Sequence, residues 1–272
     1  KQVSDVVDIL LFIKDFVSNK QKSIEFLNNL LNGHDGFLDS RGLNIFENKF
    51  TYLLKQTYTG ETLYSAILKE VFNSEQSEAN LYIENLKSVD GEIGLRLGEN
   101  DYFGVINVGD NENLIKLCDA NGLLTSSKEF SESLFHGINK TDSTINILIG
   151  SKKFTEGWSS WRVSTMGLMN IGRSEGAQII QLFGRGVRLK GANFTLKRSN
   201  EQDVIPLHKV PEYIRFVETL NIFGVKADYM ATFKEYLEKE GVPTGDKIEF
   251  TLPAISNLGK VNSDLKMPRI KK

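Results

Sequence analysis

The chain has 272 residues, enough for one large domain or two smaller ones. Hydrophobic residues make up 40% and charged residues 25%, which excludes a disordered polyelectrolyte. Lys plus Arg is 33 and Asp plus Glu is 35, a net charge of −2, so no whole-chain basic field exists and any nucleic-acid contact must come from a local patch. The single cysteine, Cys118, excludes an internal disulfide and fits a reducing, cytoplasmic setting.

The N-terminal part reads as helical. Val6, Ile9, Leu10, Ile13, Phe16 and Val17 recur at helical spacing, as do Ile24, Leu27, Leu30 and Leu31. Asp8, Lys14 and Asp15 interrupt the first run, which is too short to span a bilayer, so no membrane partner is expected. No small-residue cleavage site follows it. The chain opens on Lys1 rather than Met and is expected to be a segment of a longer protein. Gly33-His34-Asp35-Gly36 has turn chemistry, and Leu63, Tyr64, Ile67, Leu68, Val71 and Phe72 mark a further amphipathic helix. Residues 1–78 are therefore expected to form a helical segment.

The period then changes. Leu81 to Leu86 and Glu92 to Leu97 read as strands joined by Asp90-Gly91, a hairpin turn signal. This makes 79–100 a small β element at a junction. From Asp101 the pattern is α/β. Tyr102 to Val108 reads as a strand, and Asp110 caps a helix bearing Leu114, Leu117 and Cys118. A second helix is expected around Phe130, Leu134 and Ile138. Strands follow at Ile145 to Gly150 and Val163 to Ile171, then a helix over Gly176 to Val187. Alternating strands and helices predict a mostly parallel sheet flanked by helices over 101–205, with ligands beyond the strands' carboxyl ends. In the C-terminal extension, 206–272, Pro211 to Phe223 and Ala227 to Glu240 read as helices, and Ile248 to Ile255 as a strand broken by Pro253.

Two patterns carry chemistry. In Gln181-Leu182-Phe183-Gly184-Arg185-Gly186-Val187-Arg188, helical spacing places Gln181, Arg185 and Arg188 on one side, with Gln178 joining them. The other side, Ile179, Ile180, Leu182, Phe183 and Val187, is suited to packing on a sheet. Gly184 and Gly186 are poor helix formers and suggest close approach to another surface or a ligand. The planar guanidinium of arginine matches phosphate oxygens. The bland alternative is a core-facing helix with a solvated Arg and Gln face. Upstream stands Phe154-Thr155-Glu156-Gly157-Trp158-Ser159-Ser160-Trp161-Arg162-Val163. Gly157 suits a tight loop, and Trp158 and Trp161 read more naturally as packing than as base-stacking residues. Ser151, Lys152, Lys153 and Thr155, at the end of a strand, have the hydroxyl and ammonium groups to hold a DNA phosphate, or belong to a solvated loop.

The octet resembles motif VI of superfamily 2 helicases and the upstream decapeptide resembles motif V, most like the Res subunit of type III restriction enzymes. The resemblance covers about Asp101 to Gly191, and is most specific from Ile145. It implies a RecA-like second motor domain of a DNA-dependent ATPase. It implies Arg188 as an arginine finger, Arg185 as its partner at the γ-phosphate, and Gln181 coupling nucleotide state to the domain interface. Glu156, Gly157, Ser159 and Gly184 are implied to border the nucleotide, with Ser151, Lys152, Lys153 and Thr155 on DNA. Ser159 stands where the family usually has Asp and carries no charge.

There is no Gly-x-x-x-x-Gly-Lys-Ser/Thr loop, no Asp-Glu-x-His or Asp-Glu-x-Asp box and no Asp…Glu-x-Lys nuclease constellation in the chain. ATP and Mg2+ are therefore expected to be bound mainly by an N-terminal RecA-like domain outside it, and this chain alone is expected to be inactive. Double-stranded DNA and a methyltransferase or specificity subunit are the implied further partners. His34, His136 and His208 are scattered, so no metal site, and no structural zinc, is expected. The alternative is a non-catalytic DNA-binding or subunit-docking module derived from such a domain. An unrelated α/β nucleotide-binding enzyme fits less well, since the phosphate loop is missing.

Overall fold

The structure is a computed structural model. It describes residues 2–39, 41–87, 89, 91–129, 132–150, 160–169, 182–184, 186, 191–199, 210–211 and 213–225. The chain divides into two compact units, residues 1–229 and 230–272, and all described residues belong to the first.

Four helices precede the sheet: α1 (Gln2–Ser18), α2 (Lys20–Leu31), α3 (Thr51–Lys55) and α4 (Gly60–Glu70). The start of α4 is set by a capping box, in which the Thr59 hydroxyl accepts from Thr62 N–H and the Thr62 hydroxyl accepts from Thr59 N–H. Gly60 lies against α2 so closely that a Cβ there would sit 2.5 Å from the Ile24 carbonyl oxygen. Its N–H donates to Asn28 Oδ1 at 2.8 Å.

Five strands form one sheet in the order β4-β1-β2-β3-β5, with β1 (Leu81–Leu86), β2 (Ile93–Leu97), β3 (Gly104–Asn107), β4 (Leu124–Lys128) and β5 (Ile147–Gly150). Helix α5 (Asn111–Ala120) connects β3 to β4. The fold is α/β, but the expectation of a mostly parallel sheet is corrected. β1–β4 and β3–β5 are parallel, while β2 runs antiparallel to both β1 and β3. The connections on either side of β2 are only six residues long each, too short for the crossover that parallel neighbours need. The β1–β2 hairpin, within the 79–100 element, supplies two central strands of this sheet.

Register divides the sheet into two unlike faces. Leu81↔Leu97, Ile83↔Leu95 and Ile93↔Ile106 share the face that meets Leu10 and Val17 of α1, Tyr64 and Leu68 of α4, and Leu114 and Cys118 of α5 in one buried core. Burying each such aliphatic side chain is worth roughly 1.5–3 kcal/mol. Burial raises the Cys118 thiol to about 11, with the Asp119 charge adding to the shift. On the opposite face, Val105 packs with Ile138 and Ile145.

Three further expectations change. Leu124–Lys128, not read as regular structure from sequence, is a strand because its backbone extends the sheet beside β1. The helix expected around Leu134 and Ile138 is a single 3-10 turn, His136–Asn139. Its entry is bent by the buried Glu92 carboxylate, which accepts from the Ser133 hydroxyl and from Leu134 N–H at 2.9 Å. The helix expected over Pro211 to Phe223 shrinks to Ile214–Val217, because Asn221–Val225 is strand β7. β7 pairs in parallel with β6 (Thr165–Met169) in a separate two-stranded sheet. Ala227 to Glu240 and Ile248 to Ile255 lie outside the described residues. No helix among the described residues is long and apolar enough to cross a membrane.

Candidate functional site

The carboxyl ends of β3 and β5 lie side by side, since Asn107 pairs with Gly150. The stretch expected to bear DNA and nucleotide contacts begins directly after Gly150. Ser151, Lys152, Lys153, Thr155, Glu156, Gly157 and Ser159 lie outside the described residues, as does Trp158. The described chain resumes at Ser160, which is 3% exposed, and its hydroxyl accepts from Arg162 N–H at 3.1 Å. Trp161, expected to pack, is 57% exposed.

Next to the same strand ends, Gly91, Gly109, Asp110, Asn111 and Glu112 line a hollow of about 280 Å³. Gly91 and Gly109 have φ of 78° and 86°, the left-handed region that glycine enters without a Cβ penalty. Asp110 caps α5 as its sequence position predicts, its carboxylate accepting from Asn113 N–H at 3.1 Å. Two amide oxygens in this neighbourhood, Asn107 Oδ1 and Asn111 Oδ1, are buried without a partner.

Residues 182–184 and 186 are helical, within the helix expected over Gly176 to Val187. Phe183 is 6% exposed. A Cβ on Gly186 would stand 2.7 Å from both Leu220 Cδ2 and Met166 Cε, so the turn lies directly on β6 at that point. A Cβ on Gly184 would meet nothing within 4 Å. The two glycines thus serve different ends: Gly186 permits close packing, and Gly184 faces open space. Gln181, Arg185 and Arg188 lie outside the described residues. Of the predicted site residues, only Gly184 is described.

A second polar constellation escaped the sequence reading. On the sheet face opposite the main core, Glu84 is 4% exposed yet charged. It accepts from Arg96 Nη2 at 2.9 Å, Tyr102 Oη at 2.5 Å and Ser126 Oγ at 3.0 Å. The Arg96 bond, reinforced by those from Tyr102 and Ser126, outweighs burial and holds the Glu84 carboxyl down to about 2. Burial and the same carboxylate push the Tyr102 phenol up. The Arg96 guanidinium lies 4.6 Å from the centre of the Tyr82 ring and also meets Glu99 at 3.4 Å. Gly94 leaves room for the Tyr102 ring, whose Cε1 would be 2.6 Å from a Cβ there. The signal for this cluster was strand alternation: Tyr82, Glu84, Gly94 and Arg96 fall on the side opposite Ile83 and Leu95, and the register pairs Tyr82 with Arg96. Glu84 and Arg96 pair their charges, with Arg96 Nε buried without a partner, and the cluster ties β1, β2, β4 and the approach to β3 together. It is built to hold the sheet rather than to bind a ligand.

Among the described residues, no three His, Cys, Asp or Glu side chains gather in a way that could hold a metal ion. Compared with known protein families, curated proteins and solved structures, the chain matches none.

Proposed function

We propose that this chain is the RecA-like second motor domain of a DNA-dependent ATPase of superfamily 2, working on cytoplasmic DNA as part of a type III restriction enzyme's Res subunit. The observation that carries the proposal is the paired pattern in the sequence. Lys153-Phe154-Thr155-Glu156-Gly157-Trp158 begins shortly after the strand that ends at Gly150, and Gln181-Leu182-Phe183-Gly184-Arg185-Gly186-Val187-Arg188 comes some 20 residues later. The described parts support it: Gly150 ends a strand at the sheet's carboxyl edge, Phe183 is buried, and Gly186 lies against Met166 of β6 while Gly184 faces open space.

In this reading a partner domain with Walker A and B elements holds ATP, and supplies Mg2+ to neutralise charge on the phosphates. Arg188 reaches the γ-phosphate. As water attacks phosphorus and the bond to the β–γ bridging oxygen breaks, its guanidinium stabilises the charge that develops. Arg185 binds beside it, and Gln181 senses whether the phosphate is present. Glu156, Gly157, Ser159 and Gly184 border the nucleotide. Ser151, Lys152, Lys153 and Thr155 grip the backbone of duplex DNA, so each hydrolysis step shifts the grip. A methyltransferase or specificity subunit directs the motor to its site.

The test is DNA-stimulated ATP hydrolysis by the protein that joins this chain to a Walker A/B domain. Arg188→Ala is expected to slow turnover by roughly 10³ to 10⁵ while DNA binding and folding persist. Unchanged turnover would remove Arg188 as a finger. A wild-type protein with no turnover would favour a docking or DNA-binding module, the role to which Ser159 in place of an acid points.

A further inference from the structure

We propose that Arg162 is a positioning residue: it holds β6, and with it the helical turn around Phe183 and Gly186, in place against the five-stranded sheet. Arg162 stands three residues before β6. Its Nη1 donates to the Ile138 carbonyl at 2.7 Å and its Nη2 to Asn146 Oδ1 at 3.4 Å. Two residues further on, the Ser164 carbonyl accepts from Asn221 N–H at 2.9 Å, which opens the β6–β7 pairing. Next, Met166 on β6 touches Gly186. One guanidinium therefore bonds the segment that enters the small sheet to Ile138 and Asn146 beside the large one.

The receiving end is firmly built. Ile138 packs with Val105 and Ile145, and the turn before it is held by the Glu92 carboxylate. Asn146 N–H donates to the Phe103 carbonyl at 2.7 Å, and Asn146 Nδ2 donates to the Glu70 and Val71 carbonyls, 3.1 Å each, at the end of α4. Asn73, with φ of 53°, closes the knot by donating to the carbonyls of Tyr102 at 3.1 Å and Thr144 at 2.9 Å. A planar fork with fixed donors can satisfy a carbonyl and an amide oxygen together, whereas lysine presents a single point charge. Arg162 is itself exposed. Its loss is therefore expected to loosen the attachment of β6 without unfolding the sheet.

The mechanical claim stands on these contacts alone. Its consequence for ATP turnover rests on the motor reading above, because Arg185 and Arg188 flank Gly186 in sequence. Two measurements separate the claims. In hydrogen exchange of the 272-residue chain, Arg162→Ala is expected to speed exchange at Met166 and Leu168 about tenfold while Ile83 and Leu95 stay protected. Arg162→Lys should fall between. Unchanged exchange at Met166 and Leu168 in both variants would overturn the proposal. If Arg162→Ala does not fold, as circular dichroism would show, Arg162→Met, which keeps a long unbranched side chain but no donor, takes its place with the same two outcomes. In the ATPase assay, Arg162→Ala should lower kcat about tenfold with little change in KM, and should add no further loss to Arg188→Ala. A turnover-active protein whose kcat ignores Arg162→Ala would overturn the positioning role. A wild type without turnover would overturn the motor reading and leave the exchange result to decide the strut.

Discussion

Glu84 shows what a single charge costs and contributes when it is buried on a sheet. Its carboxyl drops from an ordinary 4.5 to about 2, so the folded state favours the ionised form. The stabilisation, on the order of 3 kcal/mol, is complete above pH 4.5 and is lost as pH falls toward 2. The unfolding midpoint in urea should accordingly fall with pH across that window, and Glu84→Gln should flatten the dependence. Removing only one partner leaves the other charge stranded, so Arg96→Met is expected to destabilise by about 3–5 kcal/mol in the same denaturation measurement. The two glycines of the 182–186 turn give opposite expectations. Gly184→Ala meets nothing within 4 Å and should stabilise by up to about 1 kcal/mol through helix propensity. Gly186→Ala meets Leu220 and Met166, whose flexible ends must move, and should cost about 1–3 kcal/mol in thermal unfolding. Equal effects of the two substitutions would sink this assignment of faces.

At the scale of elements, the amphipathic helices were the most legible part of the sequence. Leu10, Ile13 and Val17 lie in the core where their spacing put them, and Tyr64 and Leu68 of α4 join them. Leu10 is fully buried, so Leu10→Ala should lower stability by roughly 2–5 kcal/mol in denaturant unfolding. The α2–α4 contact depends on a residue without a side chain. Because a Cβ on Gly60 would strike a backbone oxygen, which cannot rotate away, Gly60→Ala should cost at least as much as Gly186→Ala. The strands Leu81–Leu86 and Ile93–Leu97 were legible from alternation and from the turn between them. Leu124–Lys128 was not, because Thr125, Ser126, Ser127 and Lys128 offer no apolar alternation; that strand exists because β1 has a free edge for it to pair with. Asn221 to Phe223, the first part of β7, was misread as helix for a related reason. Its apolar residues suit either period, and pairing with β6 decides between them.

For the whole molecule, the sequence by itself determined the α/β class, the helical N-terminal region, the Asp110 cap and the two motif patterns on which the proposed motor function rests. These are local properties, expressed in periodicity, capping and short spacing, and they need no knowledge of distant residues. Only the tertiary structure decided that the β1–β2 hairpin joins the main sheet through antiparallel pairing of β2 with β3, that β6 pairs with β7 outside that sheet, and that Glu84, Arg96, Tyr102 and Ser126 converge. Strand order is a choice between pairings of similar local strength, and it is settled by which arrangement buries the apolar faces and satisfies the buried charges together. The Arg162 link has the same origin: Ile138 and Asn146 lie 24 and 16 residues before it, and no local signal joins them.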